Sequence, residues 1–279
     1  MIKKFFRFVF DVFGGSFKDN VIAYSAQSAF FMTISFIPLV MLLISLLKFL
    51  PVSEEVILQG AISVFPDGTK ELVSSLINES FSKSGVAVIS ITAISTLWAA
   101  SFGVFSVVDG LNNVFGAKET RNVIVVRIMS MFYTIVFLLL LISCLLLFVF
   151  GNAIAGIVVK NIPLNFGMKT LITSGRVAIG IIVLTLLFIM IYSVVPNRKA
   201  KFIEQFPGAL VSACGWVGFS YLFSYYYMNV SDYSYLYGSL SAIVFFMLWL
   251  FICIYILFIG AEINKCIEER IERRLLMKN

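Results

Sequence analysis

Six long apolar stretches divided by short polar ones give this chain its pattern. The cleanest runs from Leu240 to Ile259 without one charged side chain. At a helical rise of about 1.5 Å per residue it is long enough to cross a bilayer core. Tyr233, Tyr235 and Tyr237 crowd one end, where amphipathic rings sit at headgroup level, and Glu262 and Asn264 follow Gly260 at the other. The same signal along the chain predicts spans at 21–47, 85–108, 127–150, 171–195, 206–227 and 238–262.

Positions within each span indicate which faces meet protein. In the first, Tyr24, Gln27, Ser28, Phe31, Ser35 and Pro38 share one stripe at about 100° per residue. A polar stripe in a membrane helix turns toward other helices or a wet cavity. Pro38 removes the donor for the Ile34 carbonyl, which predicts a kink. The second span has a small-residue face (Ser95, Ala99, Gly103, Ser106, Gly110) beside a face of Trp98, Ser101, Phe105, Asp109 and Asn112. The third is almost wholly aliphatic and aromatic, as suits a lipid-facing perimeter. Pro196 stops the fourth, and Pro207–Gly208 opens the fifth. There the pairs Gly208/Ser212, Ala209/Ala213 and Cys214/Gly218 predict a tightly packed central helix.

The segments outside the spans are short. Residues 1–20 interleave Phe5, Phe6, Phe8, Val9, Val12 and Phe13 with Lys3, Lys4, Arg7 and Asp11, which predicts a cytoplasmic interfacial helix ended by Gly14–Gly15. Arg7 and Asp11 break the apolar run that a cleaved signal peptide would need. Pro51–Lys83, the longest extramembrane stretch, reads as two amphipathic helices divided by Pro66–Asp67–Gly68. The expected organisation is therefore an interfacial segment at 1–20, a six-helix transmembrane domain at 21–264 and a basic cytoplasmic tail at 265–279.

Composition fixes the class. Hydrophobic residues make up 60% and charged residues 13% of the 279, against about a quarter charged in soluble domains. The net charge of +6 would invite a nucleic-acid partner, but its distribution speaks otherwise. Fifteen of the 21 Lys and Arg fall before the first span, between spans two and three, between four and five, or after the sixth; six fall on the other side. By the positive-inside rule both termini are cytoplasmic and the 51–83 loop lies outside. The expected fold is an all-α membrane protein, one polytopic bundle of six transmembrane helices.

Candidate chemistry is sparse. There is no histidine, which removes the commonest general base and metal ligand. Cys144, Cys214, Cys253 and Cys266 show no ligand spacing and read as unpaired thiols within or beside apolar spans. A nuclease would need metal-spaced carboxylates or a basic, aromatic platform away from the membrane, and neither occurs. An intramembrane hydrolase would need a nucleophile–base pair, yet Ser101 and Asp109 are separated by roughly 12 Å of helix. No Walker motif is present, and no metal or cofactor is expected. The topology does place Tyr24, Gln27, Asp109, Asn112, Asn197 and Glu262 at one depth, on the cytoplasmic side. They either cap helices and pair with nearby Lys and Arg, or line a polar vestibule opening inward.

The stretches AYSAQSAFFMTISFIPL, LWAASFGVFSVVDGLNNVFG, YSVVPNR, FPGAL, YGSLSAIVFFMLWL and GAEIN occur in this order. Over about residues 20–264 the chain resembles the YihY/BrkB family of bacterial inner-membrane proteins. The resemblance implies six helices, a link of some members to virulence or serum resistance, and an older label, ribonuclease BN. Carried over by motif, the recurring polar positions are Tyr24, Ser35 and Pro38; Trp98, Ser101 and Asn112; Pro196 and Asn197; Tyr237, Gly238 and Ser239; and Glu262. Phe102 stands where relatives often carry a basic residue, which removes an anion contact at that point.

Together these readings point to translocation of a lipid or other amphipath, with a structural or regulatory envelope role as the alternative. The substrate path would be lined by Tyr24, Gln27, Ser35, Pro38, Trp98, Ser101, Asp109, Asn112, Asn197 and Glu262. Arg127, Arg198 and Lys199 would contact headgroups. The expected partners are membrane lipids and not nucleic acid, with a second copy or an envelope protein left open.

Overall fold

A computed structural model describes residues 2–47, 86–139, 166–229 and 241–277. The loop at 51–83, the end of the third span, and Tyr233, Tyr235 and Tyr237 lie outside them. Among the described residues every regular element is helical: α1 (Ile2–Lys18), α2 (Val21–Leu47), α3 (Val86–Val114), α4 (Val123–Leu139), α5 (Phe166–Val194), a 3₁₀ turn (Phe202–Gln205), α6 (Phe206–Asn229) and α7 (Ser241–Leu276). Helices are what an apolar medium demands, since no water is there to satisfy the backbone. Among the described residues three stretches are long and apolar enough to cross a membrane: Ile94–Val114, Phe202–Tyr226 and Ile243–Leu276. Val21–Phe36, Val123–Leu139 and Gly180–Val194 are shorter apolar helices.

The residues form two compact units. The first draws on Met1–Thr33, Phe105–Asn122 and Pro163–Asn279, the second on Ile34–Val104 and Val123–Ile162.

The first unit is built around α7. A β-carbon on Gly208 would collide with the Gly260 carbonyl, and one on Gly260 with the Ser212 hydroxyl, so α6 and α7 cross backbone to backbone. Ala209, Ser212 and Ala213 are buried along that contact. The expected face ends there: Cys214 is exposed and Gly218 has open space beside it. Tyr192 of α5 closes the crossing by donating to the Leu257 carbonyl (2.7 Å) beside the Ser212 hydroxyl (2.8 Å). Phe188, Trp216 and Trp249 pack outward from it, the first pair tilted at a centroid spacing of 5.7 Å and the second edge to face at 6.0 Å. Gly110 of α3 admits the Phe258 ring where a β-carbon would not fit. The chain then leaves α3 through Gly116 at φ +63°, with Ala117 N–H bonded to Asn112 O (2.8 Å) and Gly116 N–H to Asn113 O (3.0 Å). That is a Schellman turn, and it needs the left-handed residue glycine supplies.

Two boundaries differ from expectation. α1 does not stop at Gly14–Gly15 but continues to Lys18. Gly15 stays helical because it seats the Glu262 carboxylate, where a β-carbon would overlap it. α7 likewise continues beyond Glu262 to Leu276, because its later turns carry the docking surface for α1.

In the second unit the Ser35 hydroxyl of α2 donates to the Ala99 carbonyl of α3 (3.1 Å), so this part of the predicted polar stripe does face the second helix. Pro38 lies inside α2, which runs on to Leu47. The third span is less uniformly apolar than its composition suggests. Val126, Arg127, Ser130, Thr134 and Leu138 form a buried stripe, while Ile124, Ile128, Phe132 and Ile135 are exposed. Ser130 and Thr134 satisfy their hydroxyls on carbonyls one turn back (2.9 and 2.7 Å).

Candidate functional site

The predicted site residues fall into both units. Ser35, Pro38, Trp98, Ser101 and Arg127 belong to the second; Tyr24, Gln27, Asp109, Asn112, Asn197, Arg198, Lys199 and Glu262 belong to the first.

In the second unit, Arg127 is buried rather than free to meet a headgroup. It donates to the Trp98 carbonyl (2.9 Å), and its guanidinium lies 3.5 Å from the Phe102 centroid and 4.7 Å from that of Trp98. Such stacking suits a planar, weakly hydrated cation. Ser101 is buried and donates to the Trp98 carbonyl (2.8 Å).

In the first unit most of the predicted polar groups hold one another. Asn112 donates to Glu119 (2.8 Å) and accepts from the Asn197 N–H (2.7 Å). Asn197 in turn donates to the Lys118 carbonyl (3.1 Å) and the Thr120 hydroxyl (3.0 Å). Glu119 is also gripped by Arg121 (2.6 Å). Those hydrogen bonds hold its carboxyl below the ordinary glutamate range, against partial burial that pushes it up. Asn112 and Asn197 therefore pin the turn after α3 to the end of α5.

Arg198 is similarly engaged. Its guanidinium forks onto both oxygens of Glu268, donates to Gln205 (3.2 Å) and lies 3.6 Å from the Phe115 centroid. Gln205 donates to Glu268 (2.7 Å), and Asn264 bridges the Gly208 N–H (2.7 Å) and the Gln205 carbonyl (3.1 Å). Asn264 thus satisfies a donor in the first turn of α6, which no helical carbonyl can reach. The sequence reading missed Gln205 and Glu268 as partners of Arg198. The spacing of Asn264 and Glu268, one helical turn apart, was the available signal.

Five of the predicted groups remain outside this network. Asp109 is exposed near the end of an apolar helix, with no Lys or Arg pairing it among the described residues, and Tyr24 lies within its electrostatic reach. Gln27 is exposed, because Val21, Ser25, Ser28 and Ala29 take the buried face of α2. Glu262 is 1% exposed; it sits on Gly15 with Lys265 at 3.8 Å, and Lys265 also bonds Asp19. Lys199 is exposed.

Glu262 lies at the base of a cleft of about 640 Å³ between α1 and α7. Across it, Asp11 pairs with Arg270 (2.6 Å), whose guanidinium lies 4.8 Å from the Phe8 centroid.

These features belong to a polytopic helical membrane protein with a polar end. Residues 12–279 match the model of the family described as Virulence factor BrkB, and the chain belongs to that family. It is 29% identical over 246 residues to a putative ribonuclease-like protein, YfkH, of Bacillus subtilis, covering 88% of this chain and 90% of that one. It is 24% identical over 265 residues to a UPF0761 membrane protein of Photobacterium profundum, covering 90% and 78%. A UPF0761 membrane protein of Aliivibrio salmonicida is 26% identical over 257 residues, covering 90% and 80%. No solved structure matches.

Proposed function

We propose that this protein is a six-span component of the bacterial inner membrane, with both termini cytoplasmic, that moves a lipid or other amphipath through a polar mouth on the cytoplasmic side. The observation that carries this reading is Asp109. A carboxylate exposed within an apolar helix, without an ion pair among the described residues, is tolerable only where water or a polar substrate reaches it. Asn112, Asn197 and Arg198 frame that mouth as fixed structure rather than as substrate ligands. Tyr24, Gln27 and Asp109 are left as the groups able to meet a passing headgroup. The ribonuclease-like name of the Bacillus relative finds no matching chemistry in these residues: the acidic groups at this end are bonded to Arg, Lys or Asn, or stand alone.

The experiment is lipid movement in proteoliposomes, read as the rate at which headgroup-labelled phospholipid becomes accessible to an external quencher. Asp109→Asn keeps size and hydrogen bonding but removes the charge. Its rate should fall at least about tenfold, a change of about 1.4 kcal/mol, with an unchanged melting temperature. A wild-type rate equal to that of empty vesicles would exclude translocation of the lipids tried. The reading it would favour is a structural or regulatory component, consistent with the mutual saturation of Arg198, Glu268, Gln205 and Asn264.

A further inference from the structure

We infer that the cleft between α1 and α7 is a binding site for the headgroup of an anionic phospholipid of the cytoplasmic leaflet, with α1 lying in the membrane interface as its aromatic wall. This site is separate from the mouth at Asp109 and does not depend on translocation.

The helical geometry of α1 sets up the site. At about 100° per residue, Phe6, Phe10, Phe13 and Phe17 fall within about 60° of one another. All four are exposed, Phe10 at 74% and Phe17 at 71%. Val12 and Ser16, about 90–130° round the other way, are buried. Phe10, Phe13 and Phe17 make this an exposed apolar face among the described residues, in a helix joined directly to the first apolar span at Val21. Such a face matches a bilayer interface, where the rings enter the acyl boundary.

Charge then selects the occupant. Arg7 and Lys18 sit about 90–110° round from the centre of the aromatic stripe, on the flank facing the cleft, and both line it together with Phe10. Three carboxylates of the cleft are paired, Asp11 with Arg270, Asp19 with Lys265 and Glu269 with Arg273 (2.9 Å), and the buried Glu262 has Lys265 at 3.8 Å, so its four carboxylates face six Lys and Arg. Arg7, Lys18 and Arg274 have no carboxylate among the described residues. The uncompensated charge of the cleft is therefore positive, and it borders an aromatic surface. A phosphate group joined to acyl chains satisfies both at once: the phosphate meets three cations and the chains run along the phenylalanines. Phe10 lies in both surfaces and marks where headgroup and chain would meet.

The test uses the purified full chain in neutral detergent, with phosphatidylglycerol, phosphatidylcholine or inorganic phosphate as probes. Binding is read by native mass spectrometry and by melting temperature. Phosphatidylglycerol should remain bound and raise the melting temperature, while phosphatidylcholine and inorganic phosphate should do so far less. The combined variant Arg7→Gln, Lys18→Gln, Arg274→Gln leaves every ion pair of the cleft intact. At about fivefold per surface cation, its phosphatidylglycerol affinity should drop by roughly a hundredfold. Its melting temperature without lipid should stay at the wild-type value. Phe10→Ser should weaken the lipid yet leave phosphate unaffected. Undiminished phosphatidylglycerol selectivity in the combined variant would overturn the site. Equal protection by inorganic phosphate would overturn its assignment to a lipid. If the combined variant fails to fold, Arg274→Gln and Lys18→Gln taken singly must each weaken phosphatidylglycerol, and no effect in either would reject the inference.

Discussion

At the scale of single residues, the structure separates polar groups that hold the fold from polar groups that are free to act. Asn264 belongs to the first kind. Its amide satisfies the Gly208 N–H and the Gln205 carbonyl in a fully buried position, beside the closest approach of two helix backbones. Asn264→Ala would leave both groups without a partner where water cannot replace it, at about 1–3 kcal/mol for each. The expected result is a clear fall in melting temperature in detergent; a loss of less than about 0.5 kcal/mol would mean that water reaches the site. The chemistry of Asn112, Asn197 and Glu262 was legible from residue type and position alone. Their partners were not, because Asn112 meets Asn197 and Glu262 meets Gly15 across long separations in sequence. No local spacing encodes such a pair.

At the scale of elements, periodicity located the helices but not all of their ends. The two glycines that looked like a stop in α1 are read differently once Glu262 is seen packed on Gly15. Helix propensity gave way there to a tertiary contact. The aliphatic look of α4 also concealed a buried stripe of Arg127, Ser130 and Thr134, since three polar side chains at helical spacing hardly change the composition. The turn after α3 is the element with a pH signature. Arg121 and Asn112 bond Glu119 and hold its carboxyl below the usual glutamate value. A group acidified by folding stabilises the fold in full above its unfolded value, about pH 4.3, and the gain is lost as pH falls through the folded value. The melting-temperature gap between wild type and Glu119→Gln should therefore be widest near pH 7 and close below about pH 4. A gap that persists unchanged to about pH 3 would show that the carboxylate charge does not hold the turn.

At the scale of the whole molecule, orientation follows from how charge is distributed along an apolar chain. Among the described residues three helices meet the length and apolarity of a membrane span, and three shorter apolar helices lie where the remaining spans are expected. Six crossings would return the chain to the side on which it began. Under the proposed topology the Lys and Arg excess, 15 against 6, would make that side the cytoplasm. The consequence reaches both functional proposals. Asp109 and the α1–α7 cleft face the cytoplasmic leaflet only under this orientation; reversed, both would open outward. Single cysteines placed in a chain lacking Cys144, Cys214, Cys253 and Cys266 can decide it. In intact cells an impermeant thiol reagent should label Asp67→Cys, in the long loop. It should spare Lys199→Cys, an exposed position beside the network of Asn197 and Arg198. Opening the cells should make the second position reactive, which shows that it was shielded by the membrane rather than buried. Labelling of Lys199→Cys in intact cells, with Asp67→Cys protected, would invert the topology and place the polar mouth and the basic cleft on the opposite leaflet.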